Sequence, residues 1–164
     1  MALAKDINEG RLTLPELDLP SDKDYVAVWA LVDSGSSVHV VDASQVFPKS
    51  KVLPPPKGHK GFTVADGTKV EHGGFVHTNI RTVEGENKTI RWKNAKVAMP
   101  ILSTHELARN GSKLEYDEDH GIIHNKATGA TTKFYQAAEV YFVPLLVKKD
   151  ILPDDKPQGF GRPG

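Results

Sequence analysis

One carboxylate in this chain stands where chemistry is easy to build. Asp33 ends the apolar run Ala30-Leu31-Val32 and is followed at once by Ser34, Gly35, Ser36 and Ser37. An apolar run that stops at an acid predicts a buried strand delivering a charge to its mouth, and Gly35 lets the chain turn where a side chain would not fit. Asp, Ser and Gly are also common turn formers, so these three residues alone equally describe an ordinary turn. Acid–base hydrolysis of a peptide needs two carboxylates sharing one proton, one activating a water while the other protonates or hydrogen-bonds the carbonyl oxygen. The chain has a single Asp-Ser-Gly. Asp66-Gly67 lacks the apolar approach and reads as a hairpin tip. On this chemistry the second carboxylate comes from a second copy of the chain, with Asp33 facing Asp33 across a two-fold axis. Two like charges so close do not both ionise cheaply, so the pair titrates in coupled steps and an acidic optimum is expected.

Other polar groups weigh less. His120 and His124, near Asp117 and Asp119, are metal-ligand types, but Gly121 and a predicted hairpin remove the helical face their spacing would need, so no metal is expected. Ser34 and Ser36 sit in no Gly-x-Ser-x-Gly context. His72, His77 and His105 read as surface residues, and Trp29 and Trp92 as core. The absence of cysteine excludes thiol catalysis, disulfides and cysteine-held metal or cluster sites. Lys plus Arg (21) equals Asp plus Glu (21), so no net field draws the chain to nucleic acid or an anionic membrane. No cofactor, nucleic acid or membrane partner is expected.

The elements that must position Asp33 are mostly strands. At 164 residues the chain suits one domain. Residues 1–24 read as an extended arm without a signal peptide or membrane span, residues 25–147 as the domain, and residues 148–164 as a disordered tail; a cytoplasmic location is expected. Tyr25 to Val32 reads as a strand buried on both faces. Val38 to Val41 reads as a second short strand, then a polar turn and a proline-rich connector from Phe47 to Gly61. Phe62 to Val70 alternates about Asp66-Gly67, a hairpin signal. Gly73-Gly74 permits a bend. Further strands are expected at Phe75–Ile80, Thr89–Trp92 and Ala95–Met99. A short helix from about Thr104 to Arg109 is predicted by Ser103 as cap, Glu106 in capping-box position and Gly111 as stop. Leu114–Tyr116 and Gly121–His124 form a hairpin, and Thr132–Tyr135 and Val140–Val147 complete an all-β domain with one helix.

In this order the chain resembles the retropepsin family, the single-domain aspartic proteases of retroviruses and long-terminal-repeat retrotransposons. Three places carry the resemblance: Ala30-Leu31-Val32-Asp33-Ser34-Gly35-Ser36-Ser37, the hairpin Thr63-Val64-Ala65-Asp66-Gly67-Thr68, and Pro100-Ile101-Leu102-Ser103 leading into Glu106-Leu107-Ala108. Copia-type elements look most similar. Retroviral members usually place Gly after the apolar pair, where this chain has Ser103. The resemblance implies a closed acid-protease barrel functioning as a two-fold homodimer. Asp33 would be catalytic, with Ser34, Gly35 and Ser36 supporting its loop. Val64, Ala65, Asp66, Gly67 and Thr68 would form a flap over an extended peptide, and the substrate would be a retroelement polyprotein. Two other readings are an inactive retropepsin-like module for dimerisation or peptide docking, and a plain β-barrel interaction domain.

Overall fold

The computed structural model describes residues 24–57, 62–63, 69–70 and 73–154. The elements in chain order are β1 (Tyr25–Asp33), β2 (Val40–Val41), α1 (Ala43–Val46), β3 (Phe62–Thr63), β4 (Lys69–Val70), β5 (Phe75–Thr82), β6 (Asn87–Asn94), β7 (Ile101–Ser103), α2 (Thr104–Arg109), β8 (Ser112–Tyr116), β9 (His120–Asn125), β10 (Thr131–Ala137) and β11 (Val140–Lys148).

β1 is buried through its centre on both faces because both have a layer to meet. Val28, Ala30 and Val32 point into one cluster with Trp92, Leu102, Val143, Leu145 and Val147, while Trp29 and Leu31 point into another with Met99 and Phe142. Six strands close into a barrel in the order β1-β7-β2-β6-β5-β11, with β11 returning antiparallel to β1 from Tyr25 opposite Lys148 to Val32 opposite Tyr141. β11 also pairs with β10, from which β9 and β8 extend as an antiparallel wing. The all-β, closed-barrel expectation is borne out. Trp29, Trp92, Phe47, Phe134 and Phe142 lie fully inside. Each contributes on the order of 1.5–3 kcal/mol by leaving water.

Three local expectations need correction. Ala95–Met99 is not a strand. The segment crosses from β6 to β7, and Ala95 N–H is already held by the Val41 carbonyl at 3.0 Å. The pairing falls instead to Ile101–Ser103, the apolar step before the helix, which lies parallel to β1. The turn expected after β2 is the single-turn helix α1, whose Val46, with Phe47 just beyond it, plugs the core. Lys148 to Asp154, expected to start a disordered tail, pack on the body: Leu152 is 2 % exposed in the core and Asp154 pairs with Lys49. Residues 1–23 and 155–164, the remainder of the expected arm and tail, lie outside the described residues. At Gly73-Gly74 both glycines face Asn94, whose carbonyl accepts from Gly73 N–H at 2.8 Å and whose N–H donates to the Gly74 carbonyl at 2.8 Å, the pattern of a bulge. Gly74, at φ +95°, comes so close to Leu53 that a Cβ would collide with its carbonyl.

Candidate active site

β1 carries Asp33 to the rim of the barrel and β7 holds it there. Leu31 N–H donates to the Pro100 carbonyl at 2.9 Å, and the parallel register sets Leu31, Val32 and Asp33 beside Ile101, Leu102 and Ser103. Asp33 is half-buried, Ser34 and Gly35 are exposed, and Ser36 turns back inside. One carboxylate oxygen, Oδ1, accepts from Gly35 N–H at 2.7 Å, which closes the turn. Ser36 Oγ donates to the Val38 carbonyl at 2.7 Å, a bond local to the chain just beyond the turn. Ser34 makes no hydrogen bond among the described residues.

Beneath the loop lies a polar bed that local spacing did not reveal. Ser103, fully buried, donates from Oγ to the Ser36 carbonyl at 2.7 Å while the same oxygen accepts from Glu106 N–H at 3.1 Å. It therefore both caps α2, as predicted, and ties the loop to it. Its backbone N–H donates to His39 Nδ1 at 2.9 Å. His39 Nε2 lies 3.3 Å from Glu106 Oε2, and the ring meets Trp92 edge-on at 6.0 Å. Since Nδ1 accepts, the hydrogen-bond network assigns the imidazole proton to Nε2, which faces the Glu106 carboxylate. Burial pushes the His39 pKa down to about 4, so the ring is neutral through most of the working range. Burial likewise raises the Glu106 carboxyl above its ordinary value, with Arg109, Lys93 and Arg91 pulling it back.

His39 escaped the sequence reading because it sits between valines in a strand-like run and its partner is 64 residues away. The available signal was a lone imidazole in an apolar run, a polar group that must find a partner when buried.

On the other side of Asp33 stands an aromatic corner. Tyr141, opposite Val32, packs edge-on with Tyr116 at 5.0 Å and Phe134 at 5.5 Å. Gly121 makes room for it, because a Cβ there would run into the Phe134 ring. Tyr116 remains 51 % exposed. Burial of its hydroxyl end raises its pKa, with smaller contributions from Tyr141 and from the negative charge of Asp33.

The remaining candidates are dispersed. Strands β3 and β4 pair with Phe62 opposite Val70 and Thr63 opposite Lys69, so the predicted hairpin is present, but Val64, Ala65, Asp66, Gly67 and Thr68 lie outside the described residues. His120 and His124 share a face of β9, roughly 13 Å apart at strand spacing, and each meets its own acid, Asp119 at 2.7 Å and Glu115 at 3.5 Å. Among the described residues no three potential metal ligands converge, and no helix is long and apolar enough to cross a membrane. In comparisons with known proteins, no family model, curated protein or solved structure matches the chain.

Proposed function

We propose that the chain is a retropepsin-like aspartic endopeptidase that works as a homodimer and matures a retroelement polyprotein inside the cell or its particle. The observation that carries this reading is the construction around Asp33: a strand buried on both faces ends in a half-exposed carboxylate, on a loop anchored from below by Ser103. An ordinary surface turn needs no such anchoring. Asp33 has one oxygen held by Gly35 N–H and no second acid in contact among the described residues, so the dyad requires a second copy.

In the dimer the two Asp33 carboxylates share a proton and hold a water between them. The ionised one takes a proton from the water as its oxygen attacks the peptide carbonyl carbon, while the protonated one donates to the carbonyl oxygen. The tetrahedral intermediate then collapses: a proton passes to the amide nitrogen and the C–N bond breaks. Gly35 allows the two loops to approach, and Ser34 is free to bond across the axis.

The test is incubation with an unstructured protein at mildly acidic pH, with and without pepstatin, alongside sedimentation equilibrium. Pepstatin-sensitive cleavage by a dimer is expected. A strict monomer at high concentration, or a dimer that never cleaves, overturns the reading.

A further inference from the structure

Ser103 touches the Asp33 loop at both ends. Its Cα registers with Asp33 across the β1–β7 pair, and its Oγ holds the Ser36 carbonyl three residues on. What holds Ser103 in turn is an imidazole: His39 Nδ1 accepts the Ser103 N–H, and His39 Nε2 is braced on Glu106, whose own N–H is capped by Ser103 Oγ. Ser103, His39 and Glu106 form a closed circuit that joins β7 to the first turn of α2, and Ser103 Oγ ties this circuit to the loop at Ser36. A backbone N–H buried without an acceptor costs far more than a made hydrogen bond contributes, so the circuit discriminates strongly against any other placement of Ser103.

We propose that His39 is a positioning residue for Asp33, and that its neutral, Nδ1-accepting form is the state in which the Asp33 loop is set for reaction. The kinetic readout of this inference rests on the peptidase reading; its structural readouts do not. A protonated imidazole has no lone pair at Nδ1, so protonation replaces the bond from Ser103 N–H with two donors facing each other. The groups facing the ring decide when that occurs. Glu106 on α2 meets Nε2, and Arg109 and His105 on α2 and Arg91 and Lys93 on β6 bear on Glu106. Trp92 on β6 and the Ser103 backbone on β7 contribute no charge. Burial outweighs the carboxylate, and the ring stays neutral down to about pH 4. An acid enzyme with this bed has an acid limit set by His39 as well as by its dyad.

The experiment compares the wild type with His39→Asn, whose Oδ1 can accept from Ser103 N–H but does not titrate, and with His39→Phe, which cannot accept. For His39→Phe, kcat should drop about tenfold or more with KM little changed, as for a displaced catalytic group, and amide exchange at Gly35 and Ser36 should quicken. His39→Asn should keep both near wild type and extend the acid limb of kcat below pH 4. In wild-type protein the Ser103 amide shift should follow the His39 imidazole as it titrates near pH 4, and in His39→Asn it should not. Wild-type exchange at Gly35 and Ser36 in folded His39→Phe overturns the proposal, as does an unmoved acid limb in His39→Asn. Should His39→Phe not fold, the His39→Asn limb and the Ser103 titration decide. Should the wild type cleave nothing, the peptidase reading falls, while exchange and titration still judge the role of His39.

Discussion

Two aspartates in this molecule begin turns with the same local chemistry. Asp33 Oδ1 accepts a backbone N–H at 2.7 Å from Gly35, and Asp117 Oδ1 accepts one at 2.7 Å from Glu118. Both turns end a strand, and Tyr141 stands between them: it lies beside Val32 in the sheet and donates from its hydroxyl to the Asp117 carbonyl at 2.7 Å. The difference lies underneath. The residues after Asp33 descend to the buried Ser36 and the polar bed of Ser103, His39 and Glu106, whereas Asp117, Glu118 and Asp119 are all exposed. A carboxylate acquires a fixed direction from what supports its loop, and the turn itself supplies little of that.

The sharpest way to break the comparison is to neutralise each acid. Asp33→Asn should abolish peptide cleavage, a loss of at least about a thousandfold or roughly 4 kcal/mol in transition-state stabilisation, with circular dichroism and dimer unchanged. Residual cleavage near wild type would place the chemistry elsewhere. Next in size is the aromatic corner between the two turns. Gly121→Ala puts a Cβ into the Phe134 ring and 2.7 Å from the Glu115 carbonyl, and should cost about 2–3 kcal/mol by urea denaturation.

The supported turn should also respond to pH. The His39 pKa is lower folded, about 4, than unfolded, 6.5, so its contribution is whole above pH 6.5 and falls by about 1.4 kcal/mol per unit as pH drops towards 4. Glu106 has the opposite sign: its carboxyl is raised on folding, so its part is lost as pH rises above the ordinary carboxylate range and partly offsets the His39 slope. Denaturation midpoints from pH 7 to pH 4 measure the sum, and His39→Asn removes the first part. Ser103→Ala removes the α2 cap and the tie to Ser36, and should cost about 1–2 kcal/mol in the same assay. Asp117→Asn should change stability by less than about 0.5 kcal/mol and leave cleavage intact, as for a solvated surface turn.

Much of the supported turn was legible in the sequence. The apolar approach to Asp33, the small residues after it and the cap at Ser103 are local patterns, and each appears where its spacing placed it. So does α2, over Thr104–Arg109. The strand at Ala95–Met99 failed because β propensity ignores whether a partner remains: the segment's apolar residues pack, Met99 at 2 % exposure, without joining a ladder. Pairing of Ile101–Ser103 beside β1, and the link from His39 to Ser103, depend on contacts across more than sixty residues. Periodicity carries no information at that range.

β11 has one further consequence. This strand is the last of those described, yet it is hydrogen-bonded to β1, β5 and β10 together, and Tyr25 finds its partner only at Lys148. The barrel therefore cannot close on the ribosome until nearly the whole segment has emerged, and its folding is dominated by distant pairings of the kind that take milliseconds to seconds. Until then β1 has β7 on one edge but lacks β11 on the other, and the strand that carries Asp33 is only half paired. Whatever the loop supports therefore waits on the last of these pairings.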